Sequence, residues 1–341
     1  METFRRLSLP LQQCLVTGDN SFVTSETGAL YACGKNQTGQ LLLPDSYGYN
    51  VLTSVPVPEA VRSVASDGEK ILVVTTSGEV YGAGDNSFAE DSLDYASILN
   101  GMVKISLPEA AKQVTVSDLT GYVVTRSCAL YKCNLSSYVH QEYATIVAVP
   151  VPAPEPVSSV VTGNGALYII TVSGTLYGTG SNFYGQLGLG HRNRQDGFTR
   201  VQLPEPVKQI AAGHRSAFVV TTEGALYACG DNFYGQLGLR NKFTRADLQQ
   251  RVSVVSVGIG TTYAVTETGE LYACGQGYSG DYTFTQINLP EPVRTVAAAG
   301  YSALVATVNG ALYAYGGNGY GQLGLGDIRN RSQFTLVTDT I

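Results

Sequence analysis

The sequence predicts an all-β protein: a β-propeller of seven blades, each a four-stranded antiparallel sheet, with the ring closed by the chain termini. The first observation is a phrase, Gly-x-Leu/Val-Tyr or a near copy. It recurs at Gly28–Tyr31, Gly78–Tyr81, Cys128–Tyr131, Gly174–Tyr177, Gly224–Tyr227, Gly269–Tyr272 and Gly310–Tyr313, at intervals of 41 to 50 residues. That period belongs to one supersecondary unit repeated along the chain. The second observation is that each copy sits among short apolar runs separated by Pro and Gly, the punctuation of short strands. The third is composition: 44% hydrophobic and 14% charged residues suit a β-rich core and exclude a disordered chain. Length alone, 341 residues, suggests two domains. The unbroken repeat instead predicts a single body over residues 1–341.

The fifth unit is the clearest copy and fixes the elements in order. Phe198–Val201 reads as a first strand, ended by Leu203-Pro204-Glu205-Pro206, because each proline lacks a ladder donor. Val207–Ala212 is a short, mostly apolar strand closed by Gly213. Ala217–Thr221 and Ala225–Cys229 flank a Thr-Glu-Gly turn and form a hairpin, with Gly224 supplying a backbone conformation that other residues avoid. The unit ends in Asp231-Asn-Phe-Tyr-Gly-Gln-Leu-Gly-Leu239. The opening phrase recurs as Phe334–Val337 and Phe4–Leu7, so the two ends are expected in neighbouring or shared strands of one blade, covering edges that would otherwise invite pairing.

Bulk properties narrow the function. A formal net charge of −6 and a pI of about 5.1 give no basic field for nucleic acid, so nucleic acid is not an expected partner. No apolar run has the length of a signal peptide or membrane span, and a soluble cytoplasmic or nuclear protein, monomeric and without membrane contact, is expected. Four of the six cysteines, Cys33, Cys133, Cys229 and Cys274, lie two residues after the repeat Tyr and read as small buried hydrophobes on equivalent strands. No phosphate loop, Cys-x-x-Cys, His-Glu-x-x-His or nucleophile elbow occurs, so no catalytic residue, metal site or cofactor is predicted.

The string Gly-x-Leu-Tyr-x-x-Gly-x-Asn-x-x-Gly-Gln-Leu-Gly-Leu-Gly is nearly complete at Gly174–Gly190 and Gly224–Leu239. Its Asn, Gly and Gln recur at Asn36-Gly39-Gln40, Asn182-Gly185-Gln186, Asn232-Gly235-Gln236 and Asn318-Gly321-Gln322. It strongly resembles the repeat of the regulator of chromosome condensation family. The resemblance implies a seven-bladed propeller. In that family the founding member exchanges guanine nucleotide on the small GTPase Ran and binds chromatin. Relatives serve as ubiquitin-ligase modules, ciliary scaffolds, a plant ultraviolet photoreceptor and a bacterial enzyme inhibitor. The photoreceptor reading is removed, because it needs clustered tryptophans and this chain has none. The Asn motif itself reads as a blade-linking turn.

This chain departs from the family pattern where the family carries Gly-x-x-His. The histidine position holds Asn20, Lys70, Thr120, Ala166, Ser216, Thr261 and Ser302. No glycine-rich insertion resembling the wedge of Ran exchange appears between Cys133 and Pro150. The same loops are sectored by chemistry: Asp19, Asp67, Glu69 and Asp118 in units one to three, Asn164 in unit four, His214 and Arg215 in unit five, Ile259 in unit six and Tyr301 in unit seven. These are the candidate partner-binding residues, the acidic sector steering a basic partner. Arg192, Arg194, Arg240, Lys242, Arg245, Arg329 and Arg331 concentrate positive charge in inter-unit loops suited to acidic segments or phosphates. Tyr184, Tyr234 and Tyr320 are candidate interface anchors. Units two, three and six lack the full Gly-Gln-Leu turn, and their loops are expected to be the most irregular.

The reading is therefore an intracellular interaction propeller that binds or regulates a small GTPase, Ran-like by what the resemblance implies, through rim loops. Two alternatives stand beside it: true nucleotide exchange on a Ran-type GTPase, and a chromatin-associated or ubiquitin-pathway scaffold.

Overall fold

The computed structural model describes residues 11–44, 47–84, 102–117, 119–135, 146–235, 241–276 and 283–338. The described residues form β-strands, turns and loops, with no α-helix. Seven sheets follow one another along the chain. The first is β1 (Leu11–Val16), β2 (Asn20–Ser25), β3 (Leu30–Gly34) and β4 (Tyr49–Val55). The second is β5 (Val61–Ser66), β6 (Lys70–Thr75), β7 (Val80–Gly84) and β8 (Val103–Ser106), and the third begins with β9 (Ala111–Ser117), β10 (Thr120–Thr125) and β11 (Leu130–Asn134). Two short strands follow: β12 (Ile146–Val147) adds in parallel to the edge of β8, and β13 (Val149–Pro150) completes the third sheet against β11.

The fourth sheet is β14 (Val157–Gly163), β15 (Ala166–Thr171), β16 (Leu176–Gly180) and β17 (Gln195–Arg200). The fifth is β18 (Val207–Ala212), β19 (Ser216–Thr221), β20 (Leu226–Gly230) and β21 (Thr244–Arg245). The sixth is β22 (Val252–Val257), β23 (Thr261–Thr266), β24 (Leu271–Gly275) and β25 (Thr285–Ile287). The seventh is β26 (Val293–Ala299), β27 (Ser302–Thr307), β28 (Leu312–Gly316) and β29 (Arg331–Leu336). Seven such blades make a seven-bladed β-propeller. The chain divides into two compact units, Met1–Pro152 with Gly310–Ile341, and Ala153–Asn309.

One correction concerns the frame of the repeat. Phe198–Val201 opens the sequence unit, but its strand β17 pairs with β16 and is the outer strand of the preceding sheet. The sequence repeat is thus offset by one strand from the blade, because the Leu-Pro-Glu-Pro linker after β17 crosses from one sheet to the next. The second copy of the opening phrase, Phe334–Val337, lies in and just after β29, the outer strand of the seventh sheet. Its counterpart Phe4–Leu7 lies outside the described residues.

Strand chemistry follows position in the sheet. The second strands, such as Phe22-Val-Thr in β2 and Ala217-Phe-Val-Val in β19, are buried on both faces and read as continuous apolar runs. Outer strands such as β17 are largely exposed. Core clusters lie between successive sheets. Phe22, Leu30, Leu41, Val64 and Ile71 fill the space between the first and second, and Phe218, Leu226, Val255 and Cys274 that between the fifth and sixth.

Polar groups are repeated at these seams. Gln209 on β18 spans to β22, its Nε2 donating to Val255 O at 3.1 Å and its Oε1 accepting from Val255 N at 3.0 Å, and Gln13 does the same toward Val64. The six cysteines are free thiols. Cys33, Cys229 and Cys274 are more than the small hydrophobes expected: their thiols donate to Gln322 O, Gln186 O and Gly235 O, carbonyls of the Asn-x-x-Gly-Gln turns. Burial pushes the Cys33 and Cys229 thiols far above their ordinary range and Cys133 up to about 11, so none of these three is a nucleophile.

Candidate functional site

Antiparallel pairing puts two kinds of segment on one rim of each blade: the turn between first and second strands, and the segment leaving the third strand. Backbone bonds join them in Lys35 N to Asp19 O, Ser181 N to Gly165 O, Asp231 N to Arg215 O and Gln276 N to Gly260 O. All described candidate turn residues, Asp19, Asp67, Glu69, Asn164, His214, Arg215 and Tyr301, fall in these first turns. Asp118 and Arg240 lie outside the described residues, as do Gln236 and most of the linking loops of units two, three and six.

Consecutive first turns stand side by side. In the first unit Gly68, beside Asp67, packs on Thr17, with a Cβ built at Gly68 lying 3.6 Å from Thr17 Oγ1. Asp19 and Asp67 therefore share one stretch of rim. Asp19 forms an ion pair with Lys35 at 3.8 Å, and Lys35 Nζ lies 5.4 Å from the centre of the Tyr320 ring. Lys35, Asn50, Tyr320 and Ile328 border an open cleft of about 330 Å³. Asp67 also has a structural duty: its Oδ1 accepts from Glu69 N at 3.0 Å and Lys70 N at 2.8 Å, closing its own turn. Glu69 is exposed.

In the second unit Gly163 packs on Ala212, Gly213 on Val257 and Gly258 on Gly300, so the turns bearing Asn164, His214, Ile259 and Tyr301 follow one another. The guanidinium of Arg215 lies 4.6 Å from the Tyr184 ring centre and 3.6 Å from Asp231. Asn164 adopts φ +42°, a left-handed conformation that asparagine tolerates.

The basic loops are partly neutralised. Arg331 donates to Asp327 at 2.8 Å and Arg194 to Asp196 at 3.2 Å. The Arg331 hydrogen bond, with the Arg329 N–H, holds the Asp327 carboxyl below its usual range. Arg192, Lys242, Arg245 and Arg329 are exposed.

Two assignments change on inspection. The family histidine positions are not free rim groups: Asn20, Lys70, Ala166, Ser216 and Ser302 open the second strands and are buried. Asn20 Nδ2 donates to Lys35 O, tying the first turn to the end of β3. Within the Phe-Tyr pairs the phenylalanines project further than the tyrosines, although Tyr234 is itself 37% exposed. Phe183 and Phe233 are 66% and 76% exposed, while Tyr184 lies half-buried beneath Arg215. Sequence reasoning passed over these two because adjacent aromatic residues carry no mark of which one faces inward.

Asn36, Asn182 and Asn318 are buried hubs, but the expected blade-linking role is corrected: the turn joins the third and fourth strands of one sheet and meets the next only by contact, as where the Cys229 thiol donates to Gln186 O. Asn182 Oδ1 accepts from Leu187 N at 2.9 Å, and its Nδ2 donates to His191 O at 2.9 Å and Asn193 O at 3.2 Å. Asn36 and Asn318 repeat the arrangement at Leu41 and Leu323.

Family models described as "Regulator of chromosome condensation (RCC1) repeat" match residues 173–220 and 207–236, where these hubs and hairpins are most regular. Residues 173–236 thus carry repeats similar to those of the regulator of chromosome condensation family. Solved propellers agree in fold across the chain. Human WBSCR16 is 19% identical with a TM-score of 0.79, covering 91% of this chain and 94% of that one. Prp20p from Saccharomyces cerevisiae, described with its binding properties to Gsp1p and histones, is 18% identical with a TM-score of 0.76, covering 99% of this chain and 88% of that one. A stretch of 49 residues is 49% identical to the dog X-linked retinitis pigmentosa GTPase regulator, 14% of this chain. The matched stretch spans about 5% of that protein's length. Regulator of chromosome condensation repeats thus account for the seams, and the first turns remain the variable part of each blade.

Proposed function

We propose that this propeller binds a protein partner through its first-turn rim, and that the partner is a small GTPase whose basic surface meets the acidic turns at Asp19, Asp67 and Glu69. The observation that carries the reading is the side-by-side packing of consecutive turns, which turns single exposed carboxylates into one acidic stretch. Clustered like charge accelerates encounter with a partner of opposite sign. The partner class is supported by the similarity to Prp20p, described with binding to Gsp1p, and to a GTPase regulator. The protein acts as a binding or regulatory module in the cytoplasm or nucleus. Burial of the family histidine positions favours binding without exchange.

The test is a titration of wild type and an Asp19→Asn, Asp67→Asn, Glu69→Gln variant against a Ran-type GTPase, with release of a fluorescent guanine nucleotide followed in parallel. Asp67→Asn keeps the turn-closing Oδ1 and removes only charge. Binding weakened by roughly 1–3 kcal/mol and slower association at low salt are expected. Equal affinities and rates would place the contact elsewhere, and accelerated nucleotide release would establish exchange.

A further inference from the structure

The second unit carries a feature that the acidic-turn reading leaves unused: a series of neighbouring turns that bear exposed aromatic and basic side chains. The series can be followed contact by contact. Tyr184 stacks under Arg215 at 4.6 Å, and Arg215 reaches Asp231 at 3.6 Å. Asp231 leads into Phe233 and Tyr234, whose rings meet edge to face at 5.0 Å. Tyr234 Cβ lies 3.3 Å from a Cβ built on Gly260, next to Ile259, and Ile259 N donates to Gly300 O at 2.9 Å, next to Tyr301. Phe183, Phe233 and Tyr301 are 66%, 76% and 62% exposed. With roughly 200 Å² per aromatic side chain, these three alone present about 400 Å² of mostly apolar surface, the size at which patches on soluble proteins mark binding sites.

Charge identifies what fits it. The inner carboxylate of the series, Asp231, is already engaged by Arg215. Its outer border is basic. Asn182 holds the loop carrying Arg192 through His191 O and Asn193 O, and Leu189 pairs with Lys242 in the neighbouring loop, which Asn241 Nδ2 fastens to Gly190 O at 2.7 Å. The loops of Arg192 and Lys242 are thus held against the turn that bears Phe183, the first by the Asn182 amide and the second by packing of Asn241 on Gly185. We propose that this strip is a docking site for a polypeptide segment carrying alternating acidic and aliphatic side chains: the aliphatic groups cover Phe183, Phe233 and Tyr301, and the carboxylates pair with Arg192, Arg215 and Lys242. Exposed rings with two χ angles each lose little entropy on binding, and central aromatic and arginine residues carry most interface energy. The strip belongs to a different compact unit from the acidic turns and does not depend on the GTPase reading.

The experiment selects peptides from a phage-displayed random library on the full chain, then measures their affinity for wild type, Phe183→Ser/Phe233→Ser, Arg192→Glu/Lys242→Glu and, as a control in the first unit, the exposed Tyr47→Ser. Enrichment of Asp/Glu with Leu/Ile is expected. Affinity should fall at least tenfold in the double Phe variant, fall in the charge-reversed variant and on raising salt, and stay unchanged in Tyr47→Ser. Enrichment of basic peptides, no enrichment, undiminished binding by the double Phe variant with an unaltered circular dichroism spectrum, or tighter binding of a single-stranded oligonucleotide would each overturn the proposal.

Discussion

Replacing Gly224 with Ala tests the structural logic of the hairpin phrase. Gly224 has φ +79°, and its carbonyl accepts from Val252 N at 2.8 Å, joining the β19–β20 hairpin to the start of the next sheet. An added Cβ would lie 2.8 Å from Arg251 Cβ and 3.2 Å from Arg251 Cα. The left-handed backbone costs an L-residue roughly 1–2 kcal/mol, and displacing a neighbouring backbone adds about 1–3 kcal/mol. The stiffer unfolded chain returns about 0.4–1 kcal/mol, leaving a net loss of about 2–4 kcal/mol. Gly197→Ala is the control, because nothing lies within 4 Å of its added Cβ, and it should be neutral or mildly stabilising. With no tryptophan and 22 tyrosines, urea unfolding is followed by tyrosine fluorescence and circular dichroism together. A midpoint for Gly224→Ala within error of wild type at unchanged slope would refute the account.

Other outcomes follow from the same geometry. Cys128 stands at φ +68° where the other hairpins place glycine, so Cys128→Gly should raise the urea midpoint, by up to about 1 kcal/mol after the unfolded-state entropy of glycine is offset. Asn182→Ala removes three buried hydrogen bonds and should cost about 2–4 kcal/mol, measured in the same assay. Hydrogen bonds hold two carboxyls below their usual range, from Ser127 then Thr125 for Glu109, and from Ser173 then Tyr177 for Glu155. Because their folded values are depressed, this stabilisation is present above the usual carboxylate range and is lost as pH falls through it. Both groups are exposed, so the effect is small: Ser127→Ala/Ser173→Ala should lower the neutral end of a midpoint-against-pH curve slightly, and the variant and wild-type curves should converge in acid.

The sheet count and hairpins were legible because a seven-fold phrase, Gly-x-Leu-Tyr, pins the same turn to the same strands each time. Strand ownership was not. Phe198–Val201 looks like the start of a unit because the repeat begins there in sequence, yet hydrogen bonding assigns β17 to the sheet before the linker. Sequence also hid the long-range work of short polar side chains. Gln13 and Gln209 look like ordinary strand residues until their amides are seen replacing a backbone pair across a seam. The candidate rim residues that are described fall in the first turns, but the turn-closing role of Asp67 was invisible, since an Asx-turn and an exposed carboxylate use the same residue type.

The division between what repeats and what varies has a physical source. Joining one blade to the next requires groups that reach a neighbour's backbone: the Gly224 carbonyl, the Gln209 amide and the Cys229 thiol. Backbone is the same whatever the sequence, so one residue type solves the problem at several seams, and the chain repeats it. The first turns have no such common target: Asp67 closes its own turn, Asp19 and Arg215 pair with residues that follow the third strand, and Glu69 is exposed. They hold Asp19, Asp67, Asn164, His214, Ile259 and Tyr301, five residue types in six turns. A partner read by these turns is therefore specified by the differences among blades and not by the repeat. Mutations at the seams should change stability, and mutations at the turns should change binding, with Asp67→Ala the instructive exception that changes both.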